Sequence, residues 1–143
     1  MEDHVNVTRE GILVACGDVA HGPIINKLVE EYYVQFASFV YANSFDRVML
    51  PGGQHFMQEP GTAVRDFMIG QIMKYAILHG LNDVVVVLPR ECGAYGGEET
   101  VTNAQIQDAK ALAIKLEEPG LHVVILADVD GEIVLYDSLD RRR

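Results

Sequence analysis

Short continuous runs of apolar residues alternate along this chain with longer segments in which apolar residues recur every three or four positions. Two of the runs, Gly11–Cys16 and Asp83–Leu88, predict parallel strands that helices cover on both faces, because such strands are almost uniformly apolar. A briefer run over residues 47–50 predicts another strand, which stops at the turn Pro51-Gly52-Gly53.

Three segments with helical periodicity lie between and after these strands. Apolar residues recur at helical spacing over residues 23–43, 64–78 and about 98–117, which predicts three amphipathic helices. Gly80 is placed to end the second helix. Residues 121–129 and 132–136 read as two final strands, and the Asp130-Gly131 dipeptide between them is typical of a two-residue antiparallel hairpin.

The element order, βαβαβαββ, is typical of the α/β fold class. We predict a single three-layer domain over residues 1–143, with a mostly parallel sheet that ends in one antiparallel edge strand. Residues 1–10 and 138–143 are expected to be terminal tails.

Composition and charge narrow the class of protein. Of the 143 residues, 49% are hydrophobic and 22% charged, the balance of a globular domain. The net charge of −10 argues against a nucleic-acid partner, because a polyanion would meet a surface of like charge. No apolar run approaches the length of a membrane span, so we expect a cytoplasmic protein. Two cysteines do not make the disulfide framework of a secreted domain.

Candidate chemistry follows the carboxyl ends of the predicted parallel strands, where α/β folds place their sites. Cys16-Gly17-Asp18 comes directly after the first strand, and Arg90-Glu91-Cys92-Gly93 follows the strand Asp83–Leu88. A third segment, residues 51–55, follows the strand between them in sequence and carries His55. Cys16 and Cys92 therefore occupy equivalent positions on strands that we expect to be neighbours.

These motifs, in this order, resemble the β-class carbonic anhydrases. That family has a strand ending in C-x-D-x-R, a glycine-rich turn after the next strand, a helix with a Y-A pair, and a strand leading to G-H-x-x-C-G-A. The corresponding segments here are Cys16-Gly17-Asp18-Val19-Ala20, Leu50-Pro51-Gly52-Gly53, Met73-Lys74-Tyr75-Ala76 and Leu88-Pro89-Arg90-Glu91-Cys92-Gly93-Ala94. The resemblance extends over roughly residues 11–137, including the last hairpin.

The resemblance implies a Zn²⁺ ion held by two cysteines and one histidine, with an Asp–Arg pair beside it. Cys16 and Cys92 match the thiolate ligands, and Asp18 matches the catalytic aspartate of the pair. Pro89 stands where the family has its histidine ligand, and Ala20 where it has the arginine. Neither side chain can replace the residue that the family uses.

Another side chain must therefore complete a metal site. Asp18, without an arginine partner, is a candidate third ligand, although three anionic ligands would make the ion a poor activator of water. His55 is a further candidate metal ligand and His21 an alternative, provided that their loops fold inward; each is equally explained as a surface or helix-start histidine. His79 and His122 are expected to be structural, and His4 lies in the N-terminal tail.

Alternative roles for the cysteines and glycines stay open. Either cysteine alone is explained as a small buried apolar residue, and the pair also suits redox use. Cys92 lies near a predicted helix start, whose positive end lowers a thiol pKa, but the adjacent Glu91 opposes thiolate formation. Gly93, Gly96 and Gly97 do not have the spacing of a phosphate-binding loop and are interpreted as turn residues.

Two functions follow from these observations. The first is a zinc lyase or hydrolase acting on CO₂, bicarbonate or a related small electrophile. The second is a catalytically inactive relative that serves as a binding or assembly subunit. The resemblance also implies a homodimer or higher homo-oligomer. The aromatic residues of the first helix are expected to lie mainly in the core, namely Tyr32, Tyr33, Phe36 and Phe39. The same helix, over residues 23–43, is wide enough to form a subunit contact as well, which is our hypothesis for the dimer.

Overall fold

The computed structural model describes residues 10–34, 45–59 and 61–136. Five strands of these residues form one sheet in the order β2-β1-β3-β4-β5. The strands are β1 (Gly11–Cys16), β2 (Phe45–Leu50), β3 (Asp83–Leu88), β4 (His122–Val129) and β5 (Glu132–Tyr136). The pairs β2–β1, β1–β3 and β3–β4 are parallel, and β5 pairs with β4 in the antiparallel direction. The predicted α/β class with one antiparallel edge is confirmed.

Three α-helices connect the parallel strands: α1 (Gly22–Val34), α2 (Ala63–His79) and α3 (Asn103–Glu117). The bounds of α2 differ from the prediction by one residue at each end, and Gly80 ends the helix in the left-handed conformation at φ +64°. The predicted continuation of the first helix to residue 43, with Phe36 and Phe39, lies outside the described residues, as do most of both terminal tails. No helix in the described ranges is long and apolar enough to cross a membrane.

The third helix begins at Asn103, so the predicted start near residue 98 is wrong. Gly96 and Gly97 have φ values of +88° and +68°, which no right-handed helix contains. Thr102 is the N-cap: its hydroxyl accepts a hydrogen bond from the Gln105 amide, and the Gln105 side chain accepts one from the Thr102 amide. This capping box starts the helix five residues later than apolar periodicity indicates.

Two apolar clusters, one on each face of the sheet, make the fold a three-layer structure. Alternate residues of β1 and β3, such as Ile12 and Val84, pack against α2 and α3. The residues between them, such as Leu13 and Val85, pack against α1. Helices thus cover both faces of β3, which explains why it is apolar on both sides.

The aromatic residues of α1 contribute to the second of these clusters. The rings of Tyr32 and Tyr33 meet edge to face with their centroids 4.9 Å apart, and Tyr33 lies 5.4 Å from the Phe45 ring of β2. Both tyrosines are packed against buried residues of the α1 layer. These two side chains therefore contribute to the core, as expected.

Candidate functional site: a thiol pair at the strand ends

Cys16 and Cys92 lie together at the carboxyl edge of the sheet. Cys16 is the last residue of β1, and Cys92 lies four residues beyond the end of the neighbouring strand β3, at the start of a short 3₁₀ helix, Gly93–Tyr95. Both are free and buried, with exposed fractions of 4% and 2%. The two side chains are near enough for Cys16 to influence the ionisation of Cys92. Parallel pairing of β1 with β3 therefore makes one site of two residues 76 positions apart.

The environment of Cys92 favours the protonated thiol. Burial is the main cause of the raised pKa of Cys92, and the nearby Cys16 raises it further through its charge and its hydrogen bond. The backbone N–H groups of Ala94 and Tyr95 act in the opposite direction, as expected at a helix start, but their effect is smaller. The helix start thus lowers the pKa of this thiol in the direction that the sequence indicates, but burial and Cys16 outweigh it.

A cavity of about 400 Å³ opens beside the pair. Cys16 and Asp18 line it from the β1 side, and Gly93 and Ala94 line it from the loop after β3. Residues 49–52, at the end of β2, form the rest of the wall. The cavity is large enough for a small molecule of a few heavy atoms.

Asp18 lies at the edge of this cavity, and its carboxylate is already hydrogen-bonded. Oδ1 accepts a hydrogen bond of 3.0 Å from the Ala20 amide, so that Asp18 caps the 3₁₀ helix Val19–His21. In this orientation the carboxylate accepts a hydrogen bond from the backbone and does not bind a metal ion. Rotation of the exposed Asp18 side chain would release it at the cost of a helix cap, about 1 kcal/mol.

His55 belongs to a different contact. It lies on the 3₁₀ helix Gly53–Gln58, and its ring meets that of Tyr95 edge to face, with centroids 4.8 Å apart. Within residues 10–34, 45–59 and 61–136, no three His, Cys, Asp or Glu side chains are arranged to hold a metal ion. Of the four candidate ligands Cys16, Cys92, Asp18 and His55, the two cysteines are the pair that lies near enough to interact. The thiols fit two of the ligands that zinc prefers, and a third donor would have to move.

His21 and Arg90 line a second cavity, of about 360 Å³, that also borders Asp18. The Nδ1 atom of His21 is buried and has no hydrogen-bond partner in the described part of the chain. Arg90 donates from Nε to Oδ2 of the buried Asp128 at 3.0 Å, and Oδ1 of Asp128 accepts from the Gly131 amide. Arg90, two residues before Cys92, is thus paired with Asp128 of β4 and not with Asp18.

The two remaining described histidines make contacts away from the thiol pair. His79, at the end of α2, is in direct contact with the Asp46 carboxylate, and His122 lies 3.2 Å from that of Asp83. These contacts agree with the structural role expected for both residues.

A buried polar network holds the segment after β3 that carries Cys92, and the sequence analysis did not predict this network. Gln54, 1% exposed, donates to the Tyr95 hydroxyl at 3.1 Å, and that hydroxyl donates to Oδ2 of Asp108 at 2.7 Å. Gln58 donates to the same carboxylate oxygen at 2.6 Å. The network joins the 3₁₀ helix after β2, the loop after β3 and α3. The only signal in the sequence is a capping-box glutamine, Gln105, whose side chain also reaches this loop.

The chain matches no known family model, no curated protein and no solved structure. The resemblance to the β-class carbonic anhydrases rests on the sequence motifs alone.

Proposed function

We propose that this chain is a β-carbonic-anhydrase-like zinc protein in which Cys16 and Cys92 bind the ion as thiolates. The observation that carries the proposal is the proximity of these two buried thiols, one at the end of β1 and the other in the loop after the adjacent parallel strand β3. A pair of neighbouring cysteines supplies two of the donor atoms for which Zn²⁺ has the highest preference. The resemblance assigns the same two residues to the metal.

The raised pKa of Cys92 has a consequence for this binding. A thiol must lose its proton to bind zinc, so binding releases protons and strengthens as the pH rises. Asp18 is the third ligand in this proposal, because its carboxylate borders the same cavity as Cys16 and is held only by its cap on Ala20. The cavity beside the pair then holds a small molecule such as CO₂ or bicarbonate.

Bound zinc supplies a Lewis acid, and the side chains around it determine how much catalysis follows. Arg90 is engaged by Asp128, so its guanidinium does not orient the Asp18 carboxylate. Three anionic ligands also reduce the net positive charge at the ion. We therefore expect CO₂ hydration well below that of a site with a histidine ligand and an Asp–Arg pair.

A second candidate function is a binding or assembly subunit without catalysis. The observation that favours it is that Asp18 and His55 are engaged in other contacts, so that the described residues hold no group of three donors ready for a metal ion. Such a protein would keep the α/β framework and the buried cysteines as part of its core.

Metal analysis tests the zinc proposal. Purified protein reconstituted with Zn²⁺ and desalted is expected to retain about one ion per chain, and Cys16→Ala and Cys92→Ala to retain almost none. Asp18→Asn should weaken retention without abolishing it. His122→Ala is the matched control, because it removes an exposed imidazole far along the sheet and should change nothing. Retention of zinc that is undiminished in Cys16→Ala contradicts the proposal.

A stopped-flow CO₂ hydration assay on the zinc-loaded protein then separates the two candidates. Activity that Asp18→Asn lowers supports the lyase. Zinc binding with no acceleration over the buffer assigns the chain to the non-catalytic class.

A further inference from the structure

The outer face of α2 is apolar and exposed. Ile72 and Ala76 are the buried residues of this helix, and they face the sheet. On the opposite side, Phe67, Ile77 and Leu78 are exposed by 64%, 76% and 73%. Scattered exposed apolar residues are ordinary, but several large ones on one face of a helix are typical of an interaction surface.

The exposed residues follow the spacing of a helix–helix seam. Ala63, Phe67, Gly70, Lys74 and Ile77 recur every three or four positions along the face that points away from the sheet. The seam extends along a helix of 17 residues, about 25 Å in length. It is long enough to receive a second helix along its whole length.

Gly70 lies at the middle of the seam. A Cβ atom at this position would meet nothing within 4 Å, so the packing of the chain itself does not require glycine there. Glycine inside a helix costs about 0.5–1 kcal/mol relative to alanine. A residue without a side chain at the centre of an exposed seam allows the backbone of another helix to approach closely.

We propose that α2 pairs antiparallel with α2 of a second copy of this chain, about a two-fold axis that passes at Gly70. Such an axis places residues at equal distances before and after Gly70 opposite each other. Asp66 precedes Gly70 by four positions and Lys74 follows it by four. Asp66 therefore lies opposite the partner's Lys74, and Lys74 opposite the partner's Asp66.

Charge complementarity supports the antiparallel arrangement. Neither Asp66 nor Lys74 forms an ion pair with any residue that the structure describes. They lie eight positions apart, about 12 Å along the helix axis, which is too far for a pair within α2. The antiparallel arrangement forms two Asp66–Lys74 ion pairs, one from each copy, whereas a parallel arrangement would place like charges side by side.

The same symmetry covers the apolar residues. Ile77 lies opposite the partner's Ala63, and Ala63 opposite the partner's Ile77. A single helix pair buries less than the roughly 800 Å² per partner of a standard interface, so we expect a dissociation constant in the micromolar range. This surface differs from the first helix, on which the sequence placed the contact, and is independent of the zinc proposal.

Sedimentation velocity from about 1 to about 200 µM tests the proposal. The wild-type chain is expected to dimerise within this range. Asp66→Lys and Lys74→Asp should each raise the dissociation constant about tenfold, because each replaces two attractive pairs by two repulsive ones. The double variant reverses both pairs and should restore the wild-type constant, which a folding defect would not allow.

Two further variants complete the test. Gly70→Leu is expected to abolish the dimer while leaving the circular dichroism spectrum unchanged, since its side chain enters open space in the single chain. Cys16→Ala should dimerise normally, which separates this surface from the zinc site. A wild-type monomer at about 200 µM, or a double variant that does not regain the dimer, overturns the proposal. A dimer unaffected by Asp66→Lys assigns the contact to another face and overturns it as well.

Discussion

The side-chain amide of Gln105 donates a hydrogen bond of 2.9 Å to the backbone carbonyl of Pro89. Gln105 lies in the first turn of α3, and Pro89 follows the last residue of β3, three positions before Cys92. The Gln105 side chain is 1% exposed, and its carbonyl oxygen accepts from the Thr102 amide. One buried side chain therefore joins the start of α3 to the loop that carries the thiol.

Gln105→Leu is expected to destabilise the protein by about 1–3 kcal/mol, because it leaves the buried carbonyl of Pro89 and the Thr102 amide without a partner. Urea unfolding measures the change. Gln107→Leu is the matched control, since Gln107 is exposed on the same helix and its replacement should cost less than about 0.5 kcal/mol. Equal effects of the two substitutions would contradict the role of the Gln105 hydrogen bonds.

Gly53→Ala tests the close approach of the turn after β2 to the end of β1. Gly53 has φ +57°, and a Cβ atom there would lie 2.9 Å from the backbone carbonyl carbon of Ala15, next to Cys16. Both the conformation and the contact oppose a side chain, so we expect a loss of roughly 2–4 kcal/mol. Gly97→Ala shares the left-handed conformation, at φ +68°, but meets nothing within 4 Å and should cost only about 1 kcal/mol. If the two variants unfold at the same urea concentration, the backbone contact is not significant.

The raised pKa values of two buried tyrosines lead us to expect that the free energy of unfolding falls at high pH. Burial, followed by the charge of Asp83, raises the pKa of Tyr33, while burial and the hydrogen bond to Asp108 raise that of Tyr95. In the unfolded chain both ionise near pH 10, whereas the native chain keeps both protons. The unfolded state then binds fewer protons, so stability falls as the pH rises above about 10, by at most about 1.4 kcal/mol per pH unit for each residue.

Urea unfolding between pH 8 and about 11 measures this slope. Tyr33→Phe and Tyr95→Phe should each make it shallower, whatever they change at pH 8. A slope that is the same in both variants and in the wild type would show that these two hydroxyls do not govern the alkaline limit.

Alkylation of Cys92 tests the contact between the thiols. In metal-free protein, Cys16→Ala should lower the pKa of Cys92, because the substitution removes the charge and the thiol hydrogen bond that raise it, while burial remains. The rate of reaction with iodoacetamide as a function of pH, followed by mass spectrometry, gives this pKa. Cys16→Ser keeps a hydrogen-bonding group but no ionisable thiol, and should give an intermediate value. An unchanged pKa in Cys16→Ala would contradict a direct contact.

Much of the fold follows from local pattern. The bounds of β1, β3 and β5, the extent of α2, and the antiparallel hairpin at Asp130-Gly131 are all predicted correctly or within one residue. These features depend on the period of apolar residues and on a few turn residues, which act over short stretches of chain. Two starts differ by more: β2 begins at Phe45, two residues before the predicted start, and α3 begins five residues late, because it depends on a capping box that competes with apolar periodicity.

The sequence by itself determined the α/β class, the order of the elements and the placement of both cysteines at strand ends, because apolar period and parallel topology specify these. Only the tertiary structure decided that Cys16 and Cys92 lie near enough to interact, that Asp18 caps a helix, and that His55 packs on Tyr95. Loop paths and side-chain orientations depend on contacts between distant segments, such as Gln105 with Pro89, which no local pattern encodes. The exposure of the outer face of α2 was decided in the same way, since an apolar helix pattern does not say which of its sides the sheet will cover.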